Sequence, residues 1–315
     1  MLRAISFTPA ARVWLAQTTS ARVLNSFDRA CNLVNQDDAI LALVTSKRGL
    51  NPFAVVVASD DPTALWWPFR GLSPASRVKV AGDCLWVGDA QIDLASARLW
   101  QPSPDWPVVR KYFASDPARL GELADAVMQL KGEGSLLDLF GPPPALGATL
   151  LRPAGEGWGG GVLNRARRGA EALVRGLLAG SPDERSAGAK LLAGLGGGLT
   201  PAGDDFIVGV LLAAWAGLYG EGQEQSGTAI AETGAPLTTT LSAAYLRAAA
   251  KGECMAHWHA LFEALGREEA EATREAIRAL LSIGHTSGAD ALAGFLAVHF
   301  LTPGPSPGVK HLVVE

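Results

Sequence analysis

The residues best suited to chemistry stand in Gly196-Gly197-Gly198-Leu199-Thr200-Pro201-Ala202-Gly203-Asp204-Asp205. Glycine tolerates positive φ and lets the backbone approach a ligand closely. Pro201 fixes φ near the helical value, as suits a first turn, and the apolar run that follows continues as a helix. The first four N–H groups of a helix lack intrahelical partners and carry the positive end of its dipole. A glycine-rich loop feeding such an end suits phosphate or carboxylate. The same residues admit a plainer reading, in which Thr200 caps the helix and Asp204 and Asp205 complement its dipole. No Lys-Ser or Lys-Thr follows the glycines, which excludes a P-loop. Helix rather than strand precedes them, which excludes a dinucleotide fingerprint.

A second copy of this grammar lies in Gly284-His285-Thr286-Ser287-Gly288-Ala289-Asp290-Ala291-Leu292-Ala293-Gly294. Gly203, Asp205 and Gly209 have the same mutual spacing as Gly288, Asp290 and Gly294. A glycine inside a helix costs about 1 kcal/mol relative to alanine, so Gly209 and Gly294 imply two helices in close contact. The expectation is that both helix starts face one site, with Asp205 and Asp290 on opposite sides. The alternative is a duplication kept for packing alone. Two aspartates beside an anion call for a divalent cation such as Mg²⁺, which takes oxygen ligands. Otherwise they hydrogen-bond an amide or ammonium group of the ligand, and the sequence leaves both open. The candidate catalytic residues are Asp204, Asp205 and Asp290, with Asp205 and Asp290 as the metal ligands if a metal is held. The candidate ligand contacts are Gly196, Gly197, Gly198, Leu199, Thr200, Gly203, Thr239, Ser242, His285, Thr286, Ser287 and Gly288.

Other signals are weaker. Thr239 and Ser242 open a helix, where hydroxyls serve as caps or as ligand contacts. His257 and His259 are two apart, so on a helix they diverge and make a poor metal pair. Arg165, Arg167, Arg168 and Arg175 make a basic helix, but Glu171 pairs at i,i+4 with two of them. No serine or cysteine nucleophile with a matching base is recognisable.

These residues need a scaffold, and the chain reads in two grammars. Residues 1–115 are strand and turn: short apolar runs at 40–44, 53–58, 78–81 and 84–87 are bounded by turn residues. Gly82-Asp83 alone separates the last two runs, the signature of a hairpin with a primed turn. Six of the nine tryptophans lie here: Trp14, Trp66, Trp67, Trp86, Trp100 and Trp106. Three prolines in residues 101–107 mark a boundary, and Gly141-Pro142-Pro143-Pro144 is a second breaker. Residues 116–301 are alanine- and leucine-rich helices with glycine-rich connectors, and residues 302–315 form a Pro/Gly-rich tail. The expected fold is therefore α+β: an N-terminal small β-barrel or sandwich, then a mostly α-helical domain carrying the glycine-rich site.

Composition sets the outer bounds. The 315 residues are 48% hydrophobic and 18% charged, which suits a packed core. A net charge of −4 gives no support for nucleic acid or a membrane surface as partner. Three scattered cysteines, Cys31, Cys84 and Cys254, suggest neither zinc nor disulfides and fit a reducing cytoplasm. The most apolar stretch, residues 206–218, falls short of the roughly 20 residues that span a bilayer.

The string from Gly198 to Asp205, the Thr/Ser-rich helix start at 238–242 and the segment from Gly284 to Asp290 together resemble a bacterial family. It includes the AllH-type subunit of oxamate carbamoyltransferase, from anaerobic allantoin degradation. The likeness is concentrated in residues 150–300; the N-terminal half shares only strand-rich character and length. It implies a subunit acting with AllF-type and AllG-type partner proteins. The implied reaction moves a carbamoyl group between oxamate and phosphate, so the ligands are small anions: carbamoyl phosphate, oxamate or phosphate. Gly197 stands where the family commonly has proline, and Ala202 where it commonly has serine. The roles given to the aspartates come from their chemistry, not from the resemblance.

Overall fold

A computed structural model describes residues 2–46, 49–59, 68–140 and 160–302. Trp66, Trp67, the breaker at 141–144 and residues 303–315 lie outside them. The α+β expectation holds: a nearly closed nine-stranded sheet precedes a layer of helices.

The strands are β1 (Leu2–Phe7), β2 (Ala21–Phe27), β3 (Ala30–Asn35), β4 (Ile40–Thr45), β5 (Ala54–Ala58), β6 (Val78–Ala81), β7 (Cys84–Val87), β8 (Ala90–Asp93) and β9 (Arg98–Leu99). Their order is β2-β3-β4-β5-β1-β8-β7-β6, with β9 also on β1. A bridge between Arg22 and Arg77 brings the two ends of the order together, which protects edges that an open sheet would expose. The hairpin at Gly82-Asp83 forms as expected, with Ala81 opposite Cys84 and Gly82 at φ +54°. A helix, α1 (Pro9–Gln17), stands where the composition reads as strand. Thr8 caps it by accepting from the Ala11 amide at 3.1 Å, Pro9 opens it, and Trp14 buries itself in the barrel core.

β3 and β4 are buried along their whole length and β5 along most of it. Side chains alternate between the faces of a strand. Cys31, Leu33, Leu41, Leu43, Val55 and Val57 fill the barrel. Ala30, Val34, Ile40, Ala42, Val44 and Val56 point outward and are covered by Leu241, Ala244 and Tyr245 of the helical part. Burial on both sides explains why these strands read as continuous apolar runs.

The helices are α2 (Trp106–Ser115), α3 (Ala118–Leu130), α4 (Gly160–Leu178), α5 (Pro182–Leu192), α6 (Ala202–Trp215), α7 (Gly227–Gly234), α8 (Thr240–Ala250), α9 (Ala256–Gly266), α10 (Ala270–Leu281) and α11 (Ser287–Leu301), with a 3₁₀ turn at Leu136–Leu139. α6 and α11 are the inner pair. A Cβ on Gly209 would lie 1.9 Å from the Ala291 carbonyl oxygen, and one on Gly294 would lie 1.9 Å from that of Phe206. The two glycines thus let the backbones cross in contact, as their spacing predicts. Backbone bonds also join the two parts: the Cys254 amide donates to Pro102 O at 2.8 Å and the Ala256 amide to Leu50 O at 3.0 Å.

Candidate functional site

The two motif copies are built alike. Each begins where a helix, α5 or α10, ends and a loop leads into α6 or α11. The Gly203 amide donates to Leu195 O at 2.9 Å, and the Gly288 amide to Ile283 O at 3.2 Å. A Cβ would meet Leu192 O at 2.0 Å in the first copy and Leu280 O at 1.8 Å in the second. Only glycine lets the new helix start so close to the end of the old one. Eight positions separate Leu195 from Gly203, against five between Ile283 and Gly288. The three extra residues make room for the exposed glycines of the first loop.

The copies converge. Thr200 Oγ1 of the first lies 3.0 Å from Ser287 Oγ of the second. Both hydroxyls hydrogen-bond the Asp205 carboxyl, while its Oδ2 is buried without a hydrogen-bond partner. Burial pushes the Asp205 pKa well above the usual carboxylate range; the Ser287 hydroxyl lowers it, and the nearby Asp290 and Asp204 raise it further. Ala202 occupies the place equivalent to Ser287 and is buried, so only the second copy supplies this hydroxyl.

Asp205 lines a cavity of about 180 Å³ between the two halves of the molecule. A cavity of roughly 150 Å³ holds benzene, so this one suits a ligand of six to about eight non-hydrogen atoms. Leu199, Thr200, Ser287 and Gly288 line it from the motifs, with Gly284. The outer face of the barrel contributes Ala30, Asn32 and Val44, and the loop after β4 contributes Asn51. The turn between α8 and α9 adds Glu253 and Cys254, whose pKa values burial raises. Cys254 is therefore a buried neutral thiol, not a thiolate nucleophile.

The remaining candidates lie around this space. Asp204 is fully buried and accepts from the Gly194 amide at 3.0 Å, from Ser242 Oγ at 2.9 Å and from Thr238 Oγ1. Its pKa is raised by burial and pulled back by these bonds. Thr239 donates to Leu199 O at 2.6 Å and accepts from the Ser242 amide at 3.1 Å. Thr239, Ser242 and Asp204 thus pin the glycine loop to α8 from behind. Gly196, Gly197 and Gly198 are exposed, and a Cβ on Gly197 or Gly198 would meet no atom within 4 Å. His285 is exposed. Thr286 hydrogen-bonds Asp290, which is fully buried and accepts from the Leu136 amide at 2.6 Å. Burial lifts the Asp290 pKa to about 7. Of the basic helix, Arg165 donates to Leu191 O at 2.7 Å and so closes the end of α5.

Some first-turn amides are engaged: Gly203 N donates to Leu195 O and Asp204 N to Pro201 O, each at 2.9 Å, and Gly288 N to Ile283 O at 3.2 Å. Of the two carboxyls named as metal ligands, Asp290 spends one oxygen on the Leu136 amide and Asp205 lines the cavity. Among the described residues no cluster of three or more His, Cys, Asp or Glu is placed to hold a metal.

Asn32, Asn51 and Glu253 escaped the sequence reading. Asn32 had a usable signal, a lone amide inside the apolar run Ala30-Cys31-Asn32-Leu33-Val34. Glu253 had none, since its role depends on where the turn after α8 docks.

Compared with known families, residues 192–299 match the oxamate carbamoyltransferase subunit AllH, and residues 3–99 match the AllH family N-terminal domain. No solved structure matches the chain. Among the described residues no helix is long and apolar enough to cross a membrane.

Proposed function

The chain belongs to the AllH family, and from that membership we propose that it is a carbamoyltransferase subunit whose inter-half cavity holds a small substrate of the oxamate or carbamoyl phosphate kind. The observation that carries this reading is the unpartnered Asp205 Oδ2 at the cavity where both motif copies meet. A buried polar atom without a partner costs roughly 1–3 kcal/mol, and a ligand that satisfies it recovers that cost. Raised pKa values next to a cavity also mark functional sites more often than structural ones.

In this reading Asp205 is a neutral acid. Its proton hydrogen-bonds a carbonyl oxygen of the substrate, and the Thr200 and Ser287 hydroxyls hold the carboxyl in place. Such a donor stabilises charge that develops on the carbonyl oxygen as the carbamoyl group moves between the oxamate nitrogen and phosphate. Neutral carboxyls also remove the repulsion that two aspartates would exert on an anion. AllF-type and AllG-type subunits supply the rest of the machinery, and Asp204 acts from behind by fixing the loop.

A second reading, in which the chain presents its ligand without taking part in chemistry, is favoured by the neutral Cys254 thiol. Thermal unfolding of the chain with oxamate, carbamoyl phosphate or phosphate, beside transfer assays of the reconstituted complex, separates the two. A ligand at 100 times its Kd adds about 2.7 kcal/mol of stability. The expected result is a shift with at least one of them, and a loss of transfer of about 100-fold or more in Asp205→Ala. Absence of any shift, with transfer intact in Asp205→Ala, overturns the proposal. A lost shift in Asp205→Ala with unaltered turnover at saturating ligand favours presentation alone.

A further inference from the structure

We infer that the cavity grips its ligand by a primary amide or carbamoyl end, through Asp205 and Glu253, and leaves the anionic end toward its exposed side at Leu199 and Gly284. This rests on the reading of the cavity as the substrate site and adds the orientation of the substrate in it.

The polar side chains among the residues that line the cavity are two carboxyls, two amides, the hydroxyls of Thr200, Tyr245 and Ser287, the Cys254 thiol and the Trp258 indole. Asp205 and Glu253 face the same space from opposite parts of the helical half, one from the first turn of α6 and one from the turn after α8. Asn32 faces it from the barrel, with its Nδ2 already donating to Asn25 Oδ1 at 2.7 Å, so the Asn32 carbonyl oxygen is the end left for a ligand. The two carboxyls and the Asn32 oxygen offer acceptors to a ligand's N–H groups. A –CO–NH₂ group answers them with two N–H donors and one carbonyl acceptor.

The pairing with Asp205 is specific in form. A neutral carboxyl donates through its O–H and accepts through its C=O. A primary amide does the same through N–H and C=O, so the two close a cyclic pair of hydrogen bonds. Thr200 and Ser287 hold the Asp205 carboxyl, and its Oδ2 is the oxygen left without a partner in the protein. The second amide N–H then reaches toward Glu253. A carboxylate in the same place offers no N–H to Glu253.

Oxamate and oxalate test this directly. They have the same size and differ by –NH₂ against –O⁻. Titration calorimetry on the full chain is expected to show oxamate binding at least about tenfold tighter than oxalate, because mismatched buried polar groups are strongly rejected. In Glu253→Gln, which offers an N–H donor, that preference is expected to shrink. Oxalate binding as tightly as oxamate overturns the orientation while the cavity remains the substrate site. The same preference for oxamate in wild type and Glu253→Gln removes Glu253 from the proposal. No binding by either molecule overturns both the orientation and the site.

Discussion

Asp205 and Asp290 occupy equivalent places in the two motif copies, yet their surroundings differ. Asp205 opens onto a cavity, whereas Asp290 is sealed against the Leu136 amide. The folded pKa of Asp290 is about 7, against roughly 3.9 for an unfolded aspartate. The folded state therefore holds the proton more tightly. Its stabilising effect is fully present below the unfolded value and is lost as the pH rises through the folded one. The free energy of unfolding is expected to fall between about pH 4 and about pH 7, by up to about 4 kcal/mol from this residue, and denaturant midpoints with it. Asp290→Asn, which mimics the neutral acid, should flatten that decline; an unchanged slope would assign it to other groups. At this scale the sequence was informative where chemistry is local. Thr200, Asp205, Ser287 and Gly288 sit within two short motifs, and all line the cavity. Glu253 and Asn32 were out of reach because long-range docking brings them there.

Between elements, the crossing of α6 and α11 is the tightest constraint. An added methyl at Gly209 or Gly294 would strike a carbonyl oxygen of the partner helix, and neither backbone can yield without moving the other. Overpacking usually costs about 1–3 kcal/mol, and contact with backbone puts Gly209→Ala at or above that range. Thermal unfolding of Gly209→Ala should show the loss, with Gly197→Ala, where a Cβ meets nothing, as the near-neutral control. The spacing of the glycines made this crossing legible in advance. The hairpin at Gly82-Asp83 was legible for a similar reason, a turn whose residue types fix its geometry. α1 and α7 were not. α1 is nine residues in a strand-rich stretch, announced only by Thr8-Pro9, and α7 is eight residues with glycine at both ends. Short helices are stabilised mainly by packing rather than propensity.

For the whole molecule, the two grammars of the chain correctly announced a barrel and a helical layer, but not that the outer face of β3 and β4 forms one wall of the cavity. Strands with two buried faces read as apolar throughout and do not say what covers them. The barrel thus lines the proposed binding site. Ala30→Phe, on that wall, should weaken oxamate binding by about tenfold or more in calorimetry by filling the space, with the helical half unaltered. Unchanged affinity would place the ligand elsewhere. The interlocked crossing of α6 and α11 has a mechanical consequence as well. Two rods that touch at the backbone leave little slack between Asp205 at the start of one and Asp290 at the start of the other, so a ligand at Asp205 is expected to be felt at the Leu136 amide that Asp290 holds. Amide exchange at Leu136 with and without oxamate is the measurement; an unchanged rate would show the two helix starts to be uncoupled.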